Sequence, residues 1–230
     1  MKTEKENDYW KVFNMLYDKC DEKFPDYIVI DFEVSAYVAF KKATKSKIYF
    51  CLFHFGQCIF RKLQKLGLAK DFLTNIEFRM FIKCVTSLAF VPPRSVEIEY
   101  QKILRKSSTF ANINLVPFFN YFEKNFLNGT KYPIVCWNAY ERVINNIPLT
   151  SNAAESFNRH FYSKFDQCHP GLTTFFDKLK VQQSNVENYI EQRMVDVTKI
   201  QETLYTRKLD TIKTICRNYD SYYIWHFLKQ

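Results

Sequence analysis

The sequence predicts a mainly helical protein with a small α/β part, and three observations carry that expectation. Only 4 Gly and 7 Pro punctuate 230 residues, too few for the turn-rich sheets of a sandwich or barrel. Apolar residues recur at three- and four-residue spacing along most of the chain, the period of a helix with one buried face. Two short runs, Tyr27 to Ile30 and Ile48 to Phe53, are instead continuously apolar, and the first reads as a strand buried on both faces.

Taken in order, Tyr9, Trp10, Val12, Phe13, Leu16 and Tyr17 line one side of an opening amphipathic helix that ends before Phe24-Pro25. The first strand follows and stops at Asp31. A second helix over about 32–42, with Ala36, Tyr37 and Phe40 on one side, leads to the second apolar run. A strand, helix and strand in succession make a crossover with parallel strands, whose C-terminal ends share one edge of the sheet. Asp31 and His54 close the two runs at that edge, where open α/β sheets bind their ligands.

From about Gly56 to Asn146 the pattern is helical only, punctuated at Gly67, Pro92-Pro93 and Asn128-Gly129. A third portion begins near Thr150 with Asn152, Ala153, Ala154 and Glu155. It continues as a Phe157, Phe161, Phe165 stripe, breaks at Pro170-Gly171, and runs as long helices to about Asn218.

Composition narrows the function classes. Hydrophobic residues at 47% and aromatics at 18% bury enough surface to offset the ordering entropy of a folded domain, which excludes wholesale disorder. A net charge of +9, from 33 Lys+Arg against 24 Asp+Glu, makes a polyanion such as DNA a permitted partner. The 7 Cys follow no framework spacing, and MKTEKENDYWK has no signal-peptide apolar core, so an intracellular, reduced protein is expected. In that setting the Asn128, Gly129, Thr130 sequon reads as a helix ending at Asn128 and turning at Gly129. No run reaches the roughly 20 apolar residues of a membrane span. There is no Gly-rich phosphate loop, GxSxG elbow or HExxH pair.

Several residues invite two readings. Asp31 either caps the helix that follows or binds a metal at the strand edge. Glu33, one turn into that helix, reads as a surface acid that complements the helix dipole. Asn152-x-x-Glu155 has the spacing of a capping box. Yet Glu155 lies with Arg159, Tyr162 and Asp166 roughly opposite the Phe stripe, facing solvent or a site. Cys51 and His54, spaced CxxH, supply two metal ligands, whereas a structural zinc site needs four. Cys58 is near and Cys168-His169 distant, so buried packing is expected for Cys51 and zinc is not expected. The clusters Lys41, Lys42, Lys45, Lys47 and Arg61, Lys62, Lys65 are phosphate-contact candidates or simply solvated faces.

Five stretches in order, FPDYIVIDFEVSAYVAF, CLFHFGQCIFRKL, LAFVPPRSVEIEY, YPIVCWN and TSNAAESFNRHF followed by HPGLTTFFDKL, resemble the catalytic region of Mutator-like (MULE) transposases. The resemblance implies a partial RNase H-like fold interrupted by an all-helical insertion. It divides the chain into an α/β segment at 1–55, the insertion at 56–148, and a return to the catalytic core with C-terminal helices at 149–230. It implies a DDE-type site in which Asp31 matches the second Asp, Glu155 the Glu, and Cys51 and His54 the CxxH. Such a site holds two Mg²⁺ or Mn²⁺ ions about 4 Å apart for phosphodiester cleavage and strand transfer. DNA is the implied partner, contacted through the basic clusters and Arg159, and the nucleus the implied location.

In the family the first Asp lies on an early strand, upstream of the helix that here opens the chain. Asp8, Asp18, Asp21 and Asp26 lie in or after that helix and do not replace it, so this chain alone is expected not to cut DNA. The same comparison expects an exposed, unpaired edge at Tyr27 to Ile30 that invites self-association or a protein partner. Two alternatives stand beside this reading: a transposase-derived helical module that binds protein or DNA without catalysis, and a zinc-dependent module built on Cys51 and His54.

Overall fold

A computed structural model of the chain describes residues 6–20, 23–129, 131–166, 169–195 and 204–219. It is mainly helical, with one two-stranded parallel sheet. Helix α1 (Glu6–Lys19) precedes β1 (Tyr27–Ile30), α2 (Val34–Ala43) and β2 (Lys47–Phe50). The strands pair in parallel with Tyr27 opposite Lys47 and Ile30 opposite Phe50, as the strand–helix–strand order requires. Among the described residues, helices then follow without interruption by strands: α3 (Leu52–Lys65), α4 (Ala69–Thr74), α5 (Ile76–Ser87), α6 (Val96–Lys106), α7 (Val116–Phe122), α8 (Ile134–Trp137), α9 (Tyr140–Ile144), α10 (Asn152–Tyr162), α11 (Leu172–Val195) and α12 (Leu204–Arg217). Two compact units result, one from the described residues of Met1–Ser151 and Leu209–Gln230, the other from those of Asn152–Lys208. Asp21, Cys168 and Thr130 lie outside the described residues.

Two expectations about the strands are corrected. β1 is not buried on both faces: Tyr27 is exposed and Ile28 to Ile30 are half-buried, whereas Ile48, Tyr49 and Phe50 of β2 are buried. Among the described residues β1 pairs only with β2, so its other side lacks the cover that a central strand receives. The second apolar run is also not all strand. Beyond Phe50 the burial period changes to Phe55, Ile59 and Leu63, the buried stripe of α3, a helix that begins at Leu52 inside the run. His54 therefore stands in the first turn of α3 and not on a strand.

The first unit is held by a continuous aromatic core. The Phe55 ring stacks on Trp137 at 4.8 Å and meets Phe126 edge-on at 5.2 Å, while Phe122 stacks on Tyr100 at 5.4 Å. Trp137 donates its indole N–H to the Phe126 carbonyl at 3.1 Å, so the ring is buried with its polar atom satisfied. Asn138, also buried, ties Val91 to the start of α9 by donating to the Val91 carbonyl and accepting from the Tyr140 N–H.

The expected breaks are real and have local causes. α3 closes on Gly67 at φ 75°, with the Leu68 N–H reaching back to the Leu63 carbonyl at 2.9 Å. After α7 the chain makes a π-turn over Glu123–Leu127 and stops at Asn128. A Cβ on Gly129 would lie 2.7 Å from the Lys124 carbonyl oxygen, which excludes other residues there without a shift.

In the second unit Phe161 is buried and contacts Phe157, Phe165 and Phe175 at ring distances of 6.3, 5.2 and 5.6 Å. The four-residue stripe therefore packs α10 on the start of α11.

Two consequences are measurable. Phe55→Ala should lower stability by about 3–5 kcal/mol in urea unfolding, the cost of a large core ring lost with its cavity unfilled. The second is alkaline sensitivity. Burial pushes the Cys216 thiol up from 9.0 to about 11, and burial with the neighbouring Cys136 raises Tyr37 from 10.0 to about 12. Both groups are held neutral by the fold and ionise more readily once unfolded. The stability they contribute is complete below about pH 9 and is lost as pH rises to about 12. The urea midpoint should fall across that window, less steeply in Cys216→Ala.

Candidate metal centre

The sheet edge is assembled by the two strands and by a chain segment that returns to them a hundred residues later. Asp31 follows the last residue of β1. Its neighbour Phe32 is inserted among Phe50, Phe55 and Tyr132 at ring distances of 4.6, 6.1 and 5.0 Å. The Tyr132 hydroxyl donates to the Phe32 carbonyl at 3.1 Å. With Phe32 fixed inward, the Asp31 side chain is left at the surface, 57% exposed.

Asp31 is not the cap of α2. The N-cap place belongs to Glu33, which makes no side-chain capping bond and instead accepts the Tyr9 hydroxyl at 2.8 Å, fastening α1 to the loop after β1. At the N-cap its carboxylate also lies at the positive end of α2.

Cys51 extends the parallel ladder by one residue, its N–H donating to the Ile30 carbonyl at 2.8 Å, and occupies the N-cap place of α3 without a side-chain capping bond. It is fully buried. His54, three residues on, brings its Nδ1 to 3.0 Å from Asp31 Oδ1. The ligand atoms of Asp31, Cys51 and His54 all lie within 4.8 Å of one another. The N-terminal turn of α3 adds a positive dipole end that favours anionic sulfur and oxygen beside it.

A return near residue 149 was expected, but the contacts made by its residues were not. Leu149 accepts the Leu52 N–H at 2.8 Å, and Ser151 then contacts two of the three donors. Its hydroxyl donates to Asp31 Oδ1 at 3.1 Å, and its backbone N–H points at Cys51 Sγ at 3.5 Å. Upstream, the buried guanidinium of Arg142 donates to the Phe50 carbonyl at 2.9 Å and to the Pro148 carbonyl, and lies 5.0 Å from the centre of the Tyr49 ring. The signal for Arg142, an arginine next to Glu141 in α9, does not distinguish it from a surface residue. For Ser151 there was none, because its role exists only once residues distant in sequence meet.

Glu155 stands half-buried in the first turn of α10, in the second unit. Asn152 is already helical there, one residue too late to act as the N-cap of a box with Glu155. Arg159, on the same helix, is exposed.

The basic candidates lie away from the Asp31 edge. Lys41 and Lys42 end α2, and Lys45 and Lys47 enter β2 beside Asp26, whose carbonyl accepts the Lys47 N–H at 2.9 Å. That is the opposite end of a strand pair roughly 13 Å long. Lys42 is engaged with Glu6 at 2.5 Å, and Lys41 lies over the Tyr37 ring. Arg61 and Lys65 are exposed in the second half of α3, about 10 Å or more of helix rise from His54. Lys62 lies over Tyr121 at 5.2 Å. Among the described residues no helix is long and apolar enough to cross a membrane.

No family model, no curated protein and no solved structure matches this chain.

Replacing Arg142 by Met should lower stability by about 2–4 kcal/mol in urea unfolding, because the Phe50 and Pro148 carbonyls lose their buried donors. Arg142→Lys, able to reach one carbonyl, should recover part of that loss.

Proposed function

We propose that this chain is a remnant of a MULE-type DDE transposase that binds DNA and does not cut it. The observation that supports this most is the placement of Asp31 directly after the first of two parallel strands, with the CxxH residues Cys51 and His54 beside it. A polynucleotidyl transferase of RNase H-like fold needs a carboxylate at that place. The reading assigns Asp31 and Glu155 as the two acids that match the family, and places the nucleic-acid contacts on Lys45, Lys47, Arg61, Lys65 and Arg159, all exposed.

The donor chemistry argues for the loss of cutting. Two Mg²⁺ or Mn²⁺ ions require carboxylate and water oxygens in near-octahedral arrangement. In the first unit the cluster offers one carboxylate beside a buried sulfur and a ring nitrogen, a softer set than the all-oxygen shell those ions take. No hydrolytic or strand-transfer step is therefore assigned to this site. What remains is phosphate binding by cations, which needs no metal.

Two assays on the 230-residue chain test the reading. Fluorescence anisotropy with labelled duplex DNA should show affinity falling with salt, with a log–log slope of about 0.9 per phosphate neutralised; a flat response would favour a protein-binding helical module instead. Plasmid incubated with Mn²⁺ should stay supercoiled. Nicking that disappears in both Asp31→Ala and Glu155→Ala would overturn the non-cutting assignment.

A further inference from the structure

The same three donors, a softer set than a pair of hard ions takes, suit one ion of another kind. We propose that Asp31, Cys51 and His54 form a zinc site. The inference stands on the geometry of these residues and does not depend on the transposase reading.

Zinc accepts sulfur, imidazole nitrogen and carboxylate oxygen together in four-coordinate geometry, and these residues supply three of the four donors. Magnesium dehydrates reluctantly and takes oxygen ligands, so a buried cysteine and a histidine select against it. The spacing agrees. Two ligands each about 2.1 Å from one ion at angles between 90° and the tetrahedral value lie roughly 3.0–3.4 Å apart, and His54 Nδ1 is 3.0 Å from Asp31 Oδ1. The third donor, Cys51 Sγ, is within 4.8 Å of both.

Ser151 is a second, separate observation. Metal ligands are commonly oriented by hydrogen bonds from residues that do not touch the ion. Here one residue performs that task for two ligands, with its hydroxyl on the Asp31 carboxylate and its N–H toward the Cys51 sulfur. An N–H aimed at sulfur stabilises a thiolate, the form that binds zinc. Cys51 is buried in the core, the His54 side chain is 21% exposed and Asp31 is open to solvent, so the carboxylate is the most accessible of the three donors.

The competing account is a buried cysteine next to a His–Asp contact, with no ion shared among them. It makes Cys51 replaceable and metal irrelevant, and the following experiment separates the two. The full chain, stripped with chelator under reducing conditions, is titrated with Zn²⁺ against a chromophoric competitor and, in parallel, with Co²⁺.

One equivalent of Zn²⁺ should bind, and Co²⁺ should give a sulfur-to-metal charge-transfer band. Cys51→Ser should abolish that band, and Asp31→Asn and His54→Ala should each weaken zinc binding by more than the roughly 10- to 100-fold that loss of an orienting partner costs. Ser151→Ala should weaken it within that range. Far-ultraviolet circular dichroism of each variant checks that the fold persists, and Asp31→Asn, at an exposed position, keeps the test available if the buried Cys51→Ser does not fold. The band should survive Cys168→Ser. Loss of the band in Cys168→Ser, zinc affinity unchanged in Asp31→Asn, or displacement of zinc by millimolar Mg²⁺ would overturn the proposal.

Discussion

The buried guanidinium of Arg142 is the interaction on which the arrangement of the sheet edge depends. A cation fully removed from water is costly unless its donors are satisfied. Here the carbonyls of Phe50 and Pro148 accept from it and the Tyr49 ring faces it. Those two carbonyls belong to segments almost a hundred residues apart, the end of β2 and the start of the return to Ser151. One planar group with donors diverging in a fixed fork bridges them. A flexible ammonium would hold one carbonyl at a time. The side chain therefore sets the distance between β2 and the 148–151 segment, and that distance decides whether Ser151 reaches Cys51 and Asp31.

The aromatic core supplies the rigidity that this bridge presumes. Phe32, Phe50, Phe55, Phe126, Tyr132 and Trp137 form one cluster of rings in mixed stacked and edge-on contact. It joins the loop after β1, the end of β2, the first turn of α3 and the helical residues near 126–137. Each ring has few rotatable bonds and buries a large area, so the network fixes positions at low entropic cost. Asp31 points outward because Phe32 next to it points inward. The site's geometry is in this sense a by-product of core packing, and a core substitution as distant in sequence as Tyr132 would be felt at Asp31 through the bond from its hydroxyl to the Phe32 carbonyl.

Much of the fold was legible in the sequence because its causes are local. Continuous apolar runs marked both strands, crossover order made them parallel, and Gly67 and Gly129 marked turns whose backbone demands glycine. The errors arose where burial depends on neighbours. Tyr27 to Ile30 reads as a central strand, yet among the described residues it has one partner strand and stays half-covered. His54 was placed at a strand end because Phe53 extends the apolar run, whereas the period of Phe55, Ile59 and Leu63 already belongs to a helix. At the site, Asp31, Cys51 and His54 were readable from strand ends and CxxH spacing. Arg142 and Ser151 were not, since each acts through contacts to segments that no local pattern links to it.

Position and ligand chemistry are separable properties of such an edge, and here they point in different directions. The backbone decides where a side chain at residue 31 emerges, and parallel pairing places it where α/β sheets gather their ligands. The identity of the donors decides what is held there. Expectation from sequence ran against zinc because CxxH supplies only two ligands, but the count changes once folding adds Asp31 as a third donor from a different strand end. Beside a buried thiol and an imidazole, the Asp31 carboxylate belongs to a set of three unlike donors, and on the zinc proposal it is that set, and not the strand edge, that decides which ion is held.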